Sequence, residues 1–150
     1  MDWVKPMGKA GANLFTFHLE SNMPDGGVQK LIDAIKEQGM KVGITVKPGT
    51  SIEQVFPFVD QIDMVLVMTV EPGFSGQSFM ADMMPKVSSL REKYPDLDIQ
   101  VDGGLSPKTV DTATSAGANV IVAASAIFGS DDRKGVIDTL RSSVEKQLNK

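Results

Sequence analysis

Five short apolar segments recur along the chain, and each is followed by a stretch in which apolar residues return at helical spacing. The segments are almost continuously apolar rather than alternating, a pattern typical of parallel strands that are covered on both faces. We predict strands at residues 14–19, 42–46, 64–70, 97–101 and 119–123. The strand starts lie roughly 20 to 35 residues apart, which is the length of a unit made of one strand and one helix.

The intervening segments carry apolar residues three and four positions apart, which predicts helices that pack against the sheet. The predicted apolar faces comprise Val28, Leu31, Ile32 and Ile35; Ile52, Val55, Phe56, Val59 and Ile62; Met80, Met83, Met84, Val87 and Leu90; and Ile137, Leu140, Val144 and Leu148. Ser106 and Pro107 are typical of an N-cap followed by proline at the first helical position. They predict a helix of small residues that ends before the segment Ala116-Gly117-Ala118. A further helix over the first ten residues precedes the first strand.

Alternating strands and helices predict an α/β fold with a parallel sheet, in one domain over residues 1–150. If the sheet belongs to a β/α barrel, eight strands are needed for closure. We therefore expect a partial TIM (β/α) barrel with about five parallel strands, in which the first strands are missing. The strands at 14–19 and 119–123 would then be the unpaired edges of the sheet.

Composition narrows the classes of partner and the cellular compartment. The net charge of −4 argues against binding to nucleic acid or to an anionic membrane surface. The chain has no cysteine, which fits a reducing compartment, and we expect a cytoplasmic protein. Its apolar segments are all much shorter than a bilayer crossing requires, so we expect no membrane partner.

Asp102 is the first candidate for chemistry, because it follows the apolar segment 97–101 and precedes Gly103 and Gly104. Functional groups of β/α barrels gather at the carboxyl ends of the strands. A carboxylate in that position can exchange a proton or hold a metal ion, and the two glycines let the backbone approach a phosphate group closely. Two more segments rich in small residues, 71–77 and 124–126, follow neighbouring strands. Together they predict a phosphorylated small molecule as the ligand.

The segment 67–74, which reads Val-Met-Thr-Val-Glu-Pro-Gly-Phe, is the most distinctive part of the sequence. With the segments 15–20, 46–50, 83–87 and 101–104, it resembles the ribulose-phosphate 3-epimerases in order along the chain. The resemblance implies a β/α barrel isomerase of the pentose phosphate pathway. Such an enzyme interconverts D-ribulose 5-phosphate and D-xylulose 5-phosphate by metal-assisted proton abstraction at carbon 3, through an enediolate. The five strands would correspond to strands four to eight of that barrel.

The resemblance also implies roles for individual residues. It makes Asp102 both a catalytic acid/base group and a metal ligand. The implied substrate-binding residues are Met68, Gly73, Phe74, Ser75, Gly76, Gly103, Gly104, Ala124 and Ser125. One divalent metal ion is implied, which would be Zn, Fe, Mn or Co. Ser75 and Ala124 stand where the family usually has glycine, and a side chain there would crowd a phosphate.

Other polar residues near the strand ends have simpler interpretations. His18 is the only histidine, and a single histidine in an apolar strand is typical of a hydrogen-bonded core residue. Glu71 and Lys47 receive no site assignment, because ion pairing at the strand ends explains them equally well. The methionines from Met80 to Met84 are interpreted as helix packing.

The resemblance leaves a second functional hypothesis open. The family's second acid/base aspartate, its remaining metal ligands and a substrate-binding serine lie on strands that this sequence does not match. The alternative is therefore a catalytically inactive partial barrel that binds a sugar phosphate or a partner subunit, with a homo-oligomer as one form of that partnership. On the same grounds, we expect the purified chain alone to show no measurable epimerisation.

Overall fold

The computed structural model describes residues 2–74 and 76–148. Its helices and strands follow one another along the chain in this order: α1 Val4–Lys9, β1 Leu14–His18, α2 Gly27–Glu37, β2 Lys41–Val46, β3 Met64–Met68, α3 Met84–Lys93, β4 Asp98–Asp102, α4 Val110–Ser115, β5 Val120–Val122, α5 Ser125–Phe128 and α6 Arg133–Leu148. All five predicted strands are present, each within two residues of its expected bounds. The α/β class predicted from the sequence is confirmed.

The strands form one parallel sheet in the order β1-β2-β3-β4-β5. Neighbours in the sheet are therefore also neighbours along the chain, and every helix connection carries the chain forward by one strand. In the described part of the chain, β1 and β5 each pair on one side only, so the sheet is open. Because the strands are parallel, their carboxyl ends all lie at one edge.

One face of the sheet is packed against the helices. The register places Phe17, Ile44, Val65 and Ile99 in one row across this face, and Val46, Val67, Val101 and Ile121 in the next. Most of these side chains are fully buried, in a core shared with residues of α2, α3 and α4. Dense apolar burial of this kind is the main source of stability for the sheet.

The opposite face differs from the prediction that both faces are covered. We call this opposite face, which is not packed against the helices, the inner face of the sheet. The register places one row of residues on it: His18, Thr45, Leu66, Gln100 and Val120. Four of these five residues are only partly buried, and none belongs to the core cluster. The apolar sequence pattern concealed this difference, because the inner positions also include many apolar residues. The inner face is therefore a partly open surface in the described chain.

Two helix predictions require correction. Residues 52–62 form two short 3₁₀ segments, Ile52–Gln54 and Phe56–Gln61, rather than an α-helix. Pro57 supplies no N–H, and the tighter 3₁₀ spacing still buries Ile52, Val55 and Val59. The helix predicted to start at Pro107, after an N-cap at Ser106, begins instead at Val110.

The late start of α4 has a local cause, which is a hydrogen-bonded turn before the helix. The Thr109 hydroxyl accepts a hydrogen bond from the Ser106 N–H at 2.9 Å and donates to the Gly104 carbonyl at 3.0 Å. A turn closed by side chains in this way competes with a helical first turn.

Two strands begin with a side chain that completes the backbone ladder. At the start of β3, the Asp63 N–H donates to the Val42 carbonyl, and its carboxylate accepts from the Val42 N–H, both at 2.8 Å. At the start of β5, Asn119 repeats the arrangement with Ile99, at 3.0 Å and 2.7 Å. These bonds satisfy N–H groups of fully buried residues and fix the alignment of neighbouring strands.

None of the helices in residues 2–74 and 76–148 combines the length and the apolar character needed to cross a bilayer. The long helix α6 packs instead on α4, where the Ser143 hydroxyl hydrogen-bonds to Thr114 at 2.8 Å and donates to the Asp111 carboxylate.

We expect Asn119→Ala to lower the free energy of unfolding by about 1–3 kcal/mol, because the buried Ile99 N–H would lose its acceptor. Urea unfolding followed by circular dichroism measures the change. The matched control is Asn22→Ala at an exposed loop position, which should change stability by less than about 0.5 kcal/mol. Equal effects of the two variants would contradict the assigned role of Asn119.

Candidate functional site

A cavity of about 500 Å³ opens at the carboxyl edge of the sheet. The site residues expected from the sequence that line it are Met68, Gly73, Phe74, Gly76, Asp102, Gly103, Gly104, Ala124 and Ser125. Ser75, which was also expected to bind substrate, lies outside the described residues. Segments following three different strands thus meet at one cavity, as parallel pairing requires. Neither Glu71 nor Lys47 is among the described residues that line it.

The end of β4 is held by hydrogen bonds to its carbonyl groups. The carbonyl of Asp102 accepts from the Thr69 N–H at 2.8 Å, and that of Gly103 accepts from the buried Thr69 hydroxyl at 2.7 Å. The Gly104 carbonyl accepts from Thr109. Outside the pairing of β4 with β5, the N–H groups of Gly103 and Gly104 donate to no acceptor among the described residues. Two consecutive glycine amides, on residues that line a cavity, form a concave site suited to an anion.

Glycine is required at both positions for steric reasons. Gly103 has φ +129° and Gly104 has φ +68°, which side chains rarely tolerate. A Cβ on Gly103 would lie 2.5 Å from Val70 Cγ2, and one on Gly104 would lie 2.7 Å from Phe79 Cα. The glycine pair therefore permits both the turn and its close packing against residues 70 and 79.

Asp102 is half-buried at the mouth of this turn, and its surroundings alter its acidity. Burial raises the pKa of the carboxyl group above its ordinary value, because the charged form loses hydration. No hydrogen bond from a described residue reaches its carboxylate oxygens to offset that loss. A carboxyl group with a raised pKa holds and releases a proton closer to neutral pH, which suits an acid/base role.

The loop after β3 closes one side of the cavity. The Gln77 side chain donates to the carbonyl of Glu71 at 2.6 Å and to that of Phe74 at 3.0 Å, which folds the loop back on itself. Phe74 leaves 76% of its surface exposed although it lines the cavity. An exposed aromatic ring at the rim provides apolar surface that a bound ligand would cover.

His18 is the cavity-lining residue whose role the sequence did not indicate. Its side chain is 37% exposed and lines the cavity, so the interpretation as a hydrogen-bonded core residue is wrong. Its Nδ1 atom is buried without a hydrogen bond in the described chain and lies 3.5 Å from Oε2 of Glu20. The pairing with Glu20 two residues later was visible in the sequence, but the exposure of the ring was not.

Glu20 is fixed in turn by the segment that follows β2. Its Oε1 atom accepts hydrogen bonds from the Lys47 N–H at 2.8 Å and from the Thr50 hydroxyl. Partial burial favours the neutral acid, but these hydrogen bonds outweigh it and lower the pKa of Glu20. The Glu20 carboxylate is therefore charged and fixed in position beside the His18 ring.

Lys86 of α3 braces the same segment from the other side. Its ammonium group donates to the carbonyls of Lys47, Pro48 and Thr50 at 3.1, 2.7 and 2.6 Å. Burial lowers the pKa of Lys86, although nearby acidic residues, Glu20 foremost among them, act in the opposite direction. Three carbonyl acceptors satisfy all three donors of the ammonium group, so this lysine anchors the loop.

The described residues do not fit a complete metal site. Among residues 2–74 and 76–148, no three side chains of His, Asp or Glu lie close enough together to hold a metal ion. A catalytic zinc ion normally takes three protein ligands. Asp102 alone is too few, and we derive no chemical step through a metal ion.

Comparison with known proteins assigns the family. The model of the ribulose-phosphate 3 epimerase family matches residues 1–128. The chain belongs to that family. Its resemblance to these epimerases, inferred from the sequence motifs, is thereby confirmed.

Individual relatives agree with this family assignment. The chain is 55% identical over 152 residues to the cytoplasmic isoform of ribulose-phosphate 3-epimerase from Oryza sativa, an alignment that covers 99% of this chain and 66% of the relative. It is 51% identical to the ribulose-phosphate 3-epimerase of Schizosaccharomyces pombe, covering 96% of this chain and 62% of the relative. The chain thus spans slightly less than two thirds of the length of these relatives.

Solved structures support the fold. The 3-hexulose-6-phosphate synthase of Salmonella typhimurium superposes with a TM-score of 0.73 at 22% identity, covering 97% of this chain and 68% of that one. The KGPDC protein of Streptococcus mutans gives a TM-score of 0.71 at 16% identity, covering 97% of this chain and 66% of that one. At these identities the likeness concerns the arrangement of helices and strands alone.

We expect Gly103→Ala to destabilise the chain by about 2–4 kcal/mol, because the new Cβ would meet Val70 in an unfavourable backbone conformation. Thermal and urea unfolding measure the loss. Gly49→Ala is the matched control, since a Cβ there meets nothing within 4 Å and its φ is not positive. A comparable loss in the control would contradict the steric explanation.

Asp102→Asn should raise the melting temperature at neutral pH by a few degrees at most. Because burial raises the pKa of Asp102, the folded state binds the proton more tightly than the unfolded state. The contribution of Asp102 to the free energy of unfolding is therefore fully present below the pKa of the unfolded state, about 4. It falls as the pH rises through the pKa of the folded state, and it stays low above that pH.

The difference in melting temperature between Asp102→Asn and the parent should accordingly widen from pH 4 upward and then level off. Calorimetric melts across this pH range measure it. The exposed residue Asp60 provides the control, since Asp60→Asn should give no such widening. A gap that narrows with rising pH would contradict the expectation.

Proposed function

We propose that this chain performs the proton-transfer chemistry of a ribulose-phosphate 3-epimerase at carbon 3 of D-ribulose 5-phosphate, the sugar that such enzymes interconvert with D-xylulose 5-phosphate. The observation that carries the proposal is the joint presence, in one cavity, of the partly buried Asp102 carboxylate and the backbone turn of Gly103 and Gly104. Membership of the family and relatives of that name support the choice of reaction.

The phosphate group of the substrate would occupy the side of the cavity formed after β3, β4 and β5. The amides of Gly103 and Gly104 would donate to phosphate oxygens, Gly73 and Gly76 carry no side chain that would crowd the group, and Ala124 and Ser125 border it. Ser75 is proposed for the same group on the strength of the resemblance alone.

Asp102 would take the proton from carbon 3, next to the ketone, and the electron pair would move onto the carbonyl oxygen to give an enediolate. Returning a proton to the same carbon restores the sugar. Met68 is 7% exposed and borders the same cavity, where its polarizable side chain would lie against the planar intermediate.

We further propose that the open five-stranded sheet corresponds to strands four to eight of a TIM barrel. Support comes from the sheet order, the two singly paired edge strands and the partly open inner face. The rice relative is a cytoplasmic isoform, and we extend that location to this chain.

Family membership suggests a divalent metal ion, for which Asp102 is the proposed ligand in this chain. When bound, such an ion would stabilise negative charge on the substrate oxygens as a Lewis acid. Because the described residues do not make up a full set of ligands, the proposal assigns the chain only the proton transfer at Asp102 and the binding of phosphate.

The proposal is tested by incubating the chain with D-ribulose 5-phosphate in D₂O, with and without each divalent ion named above. We expect deuterium to enter carbon 3, and Asp102→Asn to slow the exchange by about 10²-fold or more. Asp102 is the only carboxylate among the described cavity-lining residues, so exchange should occur on one face without measurable conversion to xylulose 5-phosphate.

Proton NMR follows the exchange, and calorimetry checks that Asp102→Asn still binds the sugar phosphate. Equal exchange by parent and variant would refute the role of Asp102. Tight binding with no exchange under any condition would favour the alternative, an inactive partial barrel that binds sugar phosphates.

A further inference from the structure

His18 lines the cavity, but the proposed proton transfer gives it no part. It ends β1, three strands away from Asp102 in the sheet order. The phosphate-binding segments follow β3, β4 and β5, so His18 borders the cavity on the side away from them. A ligand held by its phosphate at those segments would direct its other end toward β1.

The orientation of the His18 ring follows from which of its atoms are buried. Nδ1 is buried and directed toward Glu20 Oε2 at 3.5 Å, whereas the side chain as a whole is 37% exposed. The exposed part therefore lies on the other edge of the ring, which carries Nε2. An imidazole in this position presents one nitrogen to the cavity and the other to a carboxylate.

The carboxylate that faces the ring does not move freely. Glu20 is tied to the Lys47 N–H and the Thr50 hydroxyl, and Lys86 holds the carbonyls of the same segment. A carboxylate fixed in this way favours a proton on Nδ1 and leaves Nε2 available for the cavity. Such support is typical of residues that must meet a ligand in one orientation.

We propose that His18 binds the hydroxyketone end of the sugar phosphate through Nε2, with Glu20 as its positioning residue. The inference rests on the proposed function and deepens it, because it assigns the end of the substrate that the phosphate-binding segments do not reach. That end carries a carbonyl and hydroxyl groups, which are hydrogen-bonding partners for an imidazole nitrogen.

Two substitutions separate this role from a purely structural one. His18→Asn places its amide near the position of Nδ1, so it keeps a partner for Glu20 but does not reach the cavity. His18→Gln places its amide near the position of Nε2 and reaches the cavity. If His18 binds the sugar, Asn should weaken ribulose 5-phosphate binding about fivefold to tenfold, the loss of one hydrogen bond, while Gln retains most of it.

The control ligand is inorganic phosphate, which occupies only the phosphate end of the cavity. Calorimetry should show that His18→Asn leaves the affinity for phosphate unchanged, with circular dichroism confirming the fold of each variant. Glu20→Gln keeps an acceptor for Lys47 and Thr50 but removes the charge beside the ring. It should weaken sugar phosphate binding by a smaller factor, again without affecting inorganic phosphate, and so provides a second test if either His18 variant fails to fold.

Three results would overturn the inference, and they are distinguishable. If the parent chain and both His18 variants bind ribulose 5-phosphate equally well, the role of His18 is refuted while the proposed function stands. If Asn preserves binding and Gln destroys it, His18 acts only as a structural partner of Glu20. If the parent chain binds neither ligand, the proposed function fails and the inference fails with it.

Discussion

The position of every functional side chain depends on the register of the parallel sheet, and burial of one face fixes that register. Val46, Val67 and Val101 lie side by side in a row against the helices and are fully buried. A slip of one residue in a strand would turn these side chains into the open face and push their polar neighbours into the core. The cost of burying the Asp102 carboxylate without a partner rules out that alternative. The apolar face thus determines which residues line the cavity.

This dependence explains why the fold was largely predictable from the sequence. Runs such as 42–46 and 64–70 are apolar because the residues that face the helices must be buried. The strands could therefore be recognised without any tertiary information. The region 52–62 was mistaken for an α-helix because 3₁₀ segments also repeat apolar residues at intervals of about three. The start of α4 was misplaced because the Thr109 hydroxyl closes a turn with Gly104, and composition does not reveal such a contact.

The candidate site was predictable only in part. Asp102, Gly103 and Gly104 are adjacent in sequence, so one strand end revealed a carboxylate and two unobstructed amides together. The environment of His18 depends instead on residues far away along the chain. Glu20 is held by a segment 27 to 30 residues later, and that segment is braced by Lys86 a further 36 to 39 residues on. The exposure of the ring depends on the position of β1 at the sheet edge, which no local pattern encodes.

The two sides of the cavity achieve order by opposite means. Around β4, the carbonyls of residues 102–104 all accept hydrogen bonds that hold the glycine turn, whose amides are proposed to bind an anion. Around β1 and β2, a carboxylate and an ammonium group occupy the backbone donors and acceptors of the loop, which leaves one edge of the His18 ring available. Asp102 ends β4, no described residue donates a hydrogen bond to its carboxylate, and burial there disfavours the charged form. The face of the sheet that is buried against the helices provides the stability that offsets the cost of a partly buried carboxylate. This is the usual relation between a scaffold and its reactive group.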